Sequence, residues 1–191
     1  MKNKKLITVL VIVGIVLLLV VWGISTRNGF VTKEQNVQKA QSQISTYLQR
    51  RADLIPNFVN TVEGYTNYEK STLTAVTEAR AKAGSATTAK EQSQANAELD
   101  RAINVWVNAV TEAYPNIKAD THFTALQDEL AGSENRIATA RKDYNDAVEN
   151  YNVAIRKFPA SIVASISGFE KADYFENTAE SNSVPNVNFN K

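Results

Sequence analysis

The polar residues with a capacity for chemistry are few, and they gather on two stretches. Arg50, Arg51 and Asp53 stand together within residues 49–57, and Glu134, Asn135, Arg136, Arg141, Tyr144 and Asn145 follow within residues 133–148. Guanidinium groups, carboxylates and amides in this arrangement can close an inter-helix ion-pair network that fixes register, or they can line a polar pocket for a small ligand. Arg51 falls on the apolar seam set by Tyr47 and Leu54, so part of its stem is expected to be buried. A buried guanidinium needs a carboxylate. The expected partner of Arg51 or Arg50 is Glu134 or a neighbouring acid, and the network is the preferred reading.

Catalytic constellations are hard to assemble from what remains. His122 is the single histidine and cysteine is absent, which removes disulfides, thiolate ligands and Cys nucleophiles. The paired Glu-x-x-His motifs of a carboxylate-bridged di-metal bundle are lost with the histidines. There is no H-E-x-x-H, G-x-S-x-G or phosphate-cradling glycine loop. His122 borders an expected helix N-cap, where a solvated or capping role accounts for it. The chain reads as no enzyme, with no cofactor and no metal site.

Helices must position these residues. Apolar or small side chains recur at alternating three and four spacing through Val37, Ala40, Ile44 and Tyr47, then Leu54, Phe58, Val62 and Tyr65, and on through Leu73 and Val76 to about Ala83. Thr32-x-x-Gln35 has capping-box form and is expected to start this run, while Pro56 is expected to kink or break it near Leu54. Gly84-Ser85-Ala86-Thr87 reads as a loop, and Thr88-x-x-Glu91 as a second capping box. The helix it opens carries Leu99, Ala102, Trp106, Val110 and Ala113 on one face and stops at Tyr114-Pro115-Asn116.

Asp120 or Thr121 is expected to cap the last long helix. Its seam runs Phe123, Leu126, Leu130, Ser133, Ile137, Ala140, Tyr144, Ala147, Tyr151, Ala154 and Phe158, a 3.5-residue repeat with coiled-coil character. Gly132 inside it is expected to mark the close approach of a neighbouring helix. Tyr144 and Tyr151 are expected to be core anchors whose hydroxyls reach polar partners. A short turn is expected over residues 161–166 and a loose polar tail from about Asn177, and no run of strand alternation follows residue 24.

Ahead of all this lies LITVLVIVGIVLLLVVWGI, residues 6–24, uncharged and apolar on every side, flanked by Lys2, Lys4 and Lys5 before it and Arg27 after it. As a helix it spans about 28 Å, close to the ~30 Å core of a bilayer. It exceeds the 7–15 apolar residues of a secretory signal, which favours a retained anchor over a cleaved leader. The lysines ahead of it favour an N-in orientation in the plasma (inner) membrane, with the following domain extracytoplasmic. Beyond residue 24, 18 cationic side chains stand against 20 acidic ones, a net −2 of mixed sign that does not suit a nucleic-acid binder. The expected organisation is a basic N-terminus (1–5), a transmembrane anchor (6–24), a short linker (25–31) broken at Asn28-Gly29, a helical bundle (32–170) and a polar tail (171–191). The fold class is all-α, an N-terminal transmembrane helix followed by an antiparallel bundle of three to four long helices.

The polar stretches also carry a resemblance. Gln49-Arg50-Arg51-Ala52-Asp53-Leu54-Ile55-Pro56-Asn57 and Ala75-Val76-Thr77-Glu78-Ala79-Arg80-Ala81 resemble the signature of the LemA family. Ala113-Tyr114-Pro115-Asn116-Ile117-Lys118-Ala119 is similar to its second block, and Ser133-Glu134-Asn135-Arg136-Ile137 with Ala140–Val148 to its third. Gln41 departs from the pattern, standing where many relatives have Trp. The resemblance implies a bacterial, single-pass, membrane-anchored helical bundle without established catalytic activity, and an envelope protein such as a membrane protease as partner. The function expected is a non-catalytic scaffold or interaction protein of the cell envelope. The alternative is a small-ligand sensor using a polar pocket between helices.

Overall fold

Residues with period-3.6 apolar patterning and good helix propensity make helices here, and the computed structural model, which describes residues 2–63 and 70–175, contains no strand among them. The elements in order are α1 (Lys2–Glu63), α2 (Lys70–Ser85), α3 (Ala89–Ala113), a 3-10 turn (Pro115–Ala119), α4 (Thr121–Arg156) and α5 (Ala160–Ser167). The seam position Tyr65 and the tail beyond residue 175 lie outside the described residues. By contact the chain divides into two units, Met1–Ala40 with Tyr144–Asp173, and Gln41–Asp143 with Tyr174–Lys191.

α1 begins with the apolar stretch, whose most hydrophobic 18-residue window has a mean hydropathy of 3.1 and no buried residue. Leaving each of these Leu, Ile and Val side chains in water rather than in an apolar medium forfeits about 1.5–3 kcal/mol, so the segment is suited to a bilayer and to little else. The linker expected over residues 25–31 is instead continuous helix. One helical glycine costs only about 1 kcal/mol, and Phe30 is buried against Phe169, ring centroids 5.4 Å apart and edge to face. Thr32 starts nothing either. Its hydroxyl donates back to the Asn28 carbonyl at 3.1 Å, and Gln35 bonds Gln38 rather than the helix end.

In the first unit α4 packs through Tyr144, Val148, Tyr151, Asn152 and Ile155. The expected seam drifts here. A 3.5-residue repeat on a helix of 3.6 residues per turn rotates by about 20° per heptad, and by the last heptads Val148 and Ile155 have replaced Ala147 and Ala154 as the buried positions. α4 ends at Arg156, so Phe158, expected on the seam, is 83% exposed. α5 closes on Gly168, whose φ of +73° suits a glycine, with the Phe169 N–H on the Ala164 carbonyl at 3.1 Å.

The chain then turns back along α4, held by its backbone. Tyr151 donates to the Glu170 carbonyl at 2.9 Å and Tyr144 to the Asp173 carbonyl at 2.9 Å. Asn152 bonds Ala172 twice, Nδ2 to its carbonyl at 2.8 Å and Oδ1 from its N–H at 2.9 Å. Residues 171–173, the start of the segment expected as a polar tail, are thus held against α4.

The second unit is an antiparallel helical bundle. Ser45, Arg51 and Phe58 of α1 meet Gln92, Asp100 and Trp106 of α3 in parallel order, while α4 meets Arg51 and Phe58 with Glu134 and Phe123 in reverse. Phe58 is its aromatic hub, 5.3 Å from Trp106 and edge to face, 5.0 Å from Phe123 and stacked. Ile55, Val62, Val76, Leu99, Ile103, Val110 and Ile117 complete that core. The capping box at α3 forms as expected, Thr88 accepting from the Glu91 N–H while the Glu91 carboxylate receives the Thr88 N–H. At α4, Asp120 Oδ1 caps the Phe123 N–H at 2.9 Å. Gly84 and Ser85, expected in a loop, form the last turn of α2. Gly132 is not a close approach, since a Cβ there would meet nothing within 4 Å.

Pro56 does not break α1. Proline has no N–H for the carbonyl four residues back, which is Ala52, and Arg80 Nε of α2 donates to that carbonyl at 2.9 Å. A vacancy in one helix is thus filled by a side chain of the next. Arg80→Met is expected to cost about 1 kcal/mol, since the carbonyl it leaves unmet is partly buried. In a Pro56→Ala background the same change costs less, because an alanine at that position supplies the missing N–H; urea denaturation of the four variants reads the difference.

Candidate functional site

Arg51 sits where α1, α3 and α4 converge, its side chain 7% exposed. Its Nη1 donates to Glu134 Oε2 at 2.6 Å, and its Nη2 is in ion contact with Asp100 Oδ1. The two acids, Asp100 and Glu134, are 28% and 38% exposed, so each keeps part of its hydration and the desolvation cost falls mainly on the arginine. Its chain neighbour Arg50 reaches Glu129 Oε1 at 2.6 Å across exposed surface, a pair in the class worth about 0–1 kcal/mol.

The bundle around Arg51 has further polar residues inside it. Gln92, Ser93, Asn96 and Ser133 are all buried. Asn96 Nδ2 donates to the Gln92 carbonyl at 2.7 Å and Ser133 Oγ to the Leu130 carbonyl at 2.7 Å. Both bonds close within their own helix, so they satisfy buried polar groups without tying one helix to another.

The remaining polar residues of the sequence reading fall in different places. Asp53 lies outside the core and takes a 2.9 Å bond from Gln49 on its own helix. Asn135 and Arg136 are exposed, the former lending its carbonyl to Thr139 at 3.0 Å. Arg141 is partly buried, its guanidinium carbon 5.0 Å from the Phe175 ring centroid, a cation–π geometry. Its Nε and Nη2 are buried without a hydrogen-bond partner. Tyr144 and Asn145 belong to the first unit, where Tyr144 holds the returning backbone rather than a ligand.

Asp100 and Glu129 are the ion-pair partners that reasoning from sequence did not name. The one local signal was that each adjoins a seam residue, Leu99 and Leu130. Beside the network runs a wide-mouthed groove of about 750 Å3, bordered by Ser45, Gln49, Arg50, Asp53, Asn57 and Glu129. It is open and bordered by side chains of both charge signs. Among the described residues no group of three or more His, Asp or Glu side chains is placed to hold a metal ion.

Residues 40–189 match the sequence profile of the LemA family. The chain is also 28% identical over 174 residues to the magnetosome protein MamQ 2 of Paramagnetospirillum magneticum, the alignment taking in 78% of this chain and 64% of the relative. It is 25% identical over 142 residues to the protein LemA of Metamycoplasma hominis, covering 74% of this chain and again 64% of the relative. The chain thus spans 64% of the length of these relatives.

Two measurements check this geometry. In a double-mutant cycle of Arg51→Met and Glu134→Gln, the single changes are expected to destabilise by about 2–4 kcal/mol and about 1–2 kcal/mol, with a coupling of about 1–2 kcal/mol; additive losses would show that the pair contributes only separately. Burial, and then the nearby Asp173 carboxylate, raise the Tyr144 phenol above its ordinary 10.0. Burial, then Glu34 and Glu170, do the same for Tyr151. These phenols ionise more readily in the unfolded chain, so the stability they contribute is intact below about pH 10 and is lost as pH rises through their folded values. A thermal-denaturation series through the alkaline range is expected to show a steeper decline in the native protein than in Tyr144→Phe/Tyr151→Phe.

Proposed function

The chain belongs to the LemA family, and from that premise we propose that it is a membrane-anchored, non-catalytic scaffold of the bacterial cell envelope that docks an envelope partner through its helical bundle. The observation that carries this reading is the use made of Arg51. The side chain with most capacity for chemistry is shared between Asp100 and Glu134 and draws three helices into register, leaving surface rather than a reacting centre as what the bundle offers. The exposed apolar part of α1 supports a single-pass anchor in the plasma membrane. Three lysines precede it, which supports an extracytoplasmic bundle. A protein of the envelope, a membrane protease among the classes the family resemblance raises, meets the bundle along its polar faces.

The groove beside Arg50 and Glu129 favours a second reading, a small polar ligand held there. A photo-crosslinking residue at Gln49 or Asn57 in the full chain, activated in intact cells, separates the two. The scaffold reading expects a protein adduct at these positions and none at control sites on α1 outside the groove. Adducts at neither, together with a thermal shift on adding a polar metabolite, would replace it with the ligand reading. Protease added to spheroplasts is expected to digest the bundle.

A further inference from the structure

We propose that the elbow between α4 and α5 is a second membrane contact, dipping Phe158, Ile162 and Ile166 into the interfacial layer of the leaflet beside the anchor. This rests on the anchor reading above. The three side chains are 83%, 52% and 82% exposed, and Ile162 and Ile166, four residues apart on α5, share one helical face. Ala164 on the opposite side is buried. An amphipathic helix of this kind turns its large residues away from its own protein.

Contacts within the first unit place the elbow at the membrane end of α1. Glu34 acts electrostatically on Tyr151 of α4, and four residues closer to the anchor Phe30 packs edge to face on Phe169. α4 therefore descends towards the apolar segment, and α5, whose last residue precedes Phe169 by two positions, lies at or beyond the level of Phe30. Phe30 is six residues past Ile24, about 9 Å of helix, whereas the headgroup layer adds roughly 5–8 Å to each side of the hydrocarbon core. The exposed face is thus within reach of the lipid interface.

Two further features fit lipid rather than a protein partner. Trp22 stands 41% exposed near the end of the apolar run, the place of an interfacial aromatic. Arg156 and Lys157 lead into Phe158 and, like Arg27, are exposed, a cationic border suited to anionic headgroups. The acids that face this region, Glu34 and Glu170, sit back at the level of Tyr151.

The chain has no cysteine, so single labels can be introduced cleanly. Ile166→Cys, Val13→Cys in the anchor and Val105→Cys on exposed α3 surface are each given an environment-sensitive fluorophore in the full chain, reconstituted into vesicles of phosphatidylcholine and phosphatidylglycerol. At Ile166 the proposal expects blue-shifted emission and several-fold stronger quenching by lipid-borne nitroxide than at Val105, with protection from aqueous iodide. Iodide quenching equal to that at Val105, with Val13 in lipid, overturns the elbow and leaves the anchor standing. Protection from iodide without lipid quenching means a second copy covers the face, and also overturns it. If Val13 itself escapes the lipid quencher, the anchor reading fails and this one with it.

Discussion

One helix has to satisfy two solvents. Over its first turns α1 offers only hydrocarbon, and over its last it must bury a stripe and keep charge on the other side. Because the helix is continuous through residues 25–31, the face that each later residue presents is set by the residues before it, at about 100° per residue and with no break in the backbone to absorb an error. Phe30, Val37, Ile44, Arg51, Ile55, Phe58 and Val62 are the buried positions along it. Each unit takes its own part of that line as core, and the other helices are placed by what they bring to it.

Arg51 is the point on the line where the protein departs from apolar packing. A guanidinium in a helical interface is poor evidence for stability as such, since well-packed hydrophobic residues often do as well. Its value is discrimination. Leu on Leu tolerates a slip of a turn; Arg51 between Asp100 and Glu134 does not. The aromatic cluster around Phe58 and the aliphatic residues packed on it supply the apolar burial. Specificity and cohesion are divided between neighbouring layers of one bundle.

Some features decided by residues within a few positions of one another were legible in the chain. Thr32-x-x-Gln35, of the same local form as the Thr88 box, nevertheless caps nothing inside a continuous helix. The capping box of Thr88 and Glu91 and the Asp120 cap need only local backbone, and the three-four spacing needs only helix geometry. What escaped depends on distant residues or on accumulated angle. Pro56 reads locally as a helix breaker and is tolerated because Arg80 arrives from α2. Gly132 reads as a notch, yet no neighbour comes near it. The late seam slid to Val148 and Ile155 through a small drift per turn that no single residue announces. Within the polar network the seam called for an acid near Arg51, and Glu134 stands there, but Asp100 and Glu129 come from packing angles that spacing does not encode.

The strap along α4 has a consequence for how this protein can vary. Tyr144, Tyr151 and Asn152 hydrogen-bond carbonyls and an N–H of residues 170–173. Glu170, Lys171 and Asp173 meanwhile stand exposed to solvent. Recognition that reads only the main chain is blind to composition. The segment's path is held by three residues on another helix, while the length and shape of its own side chains can change without losing their seat.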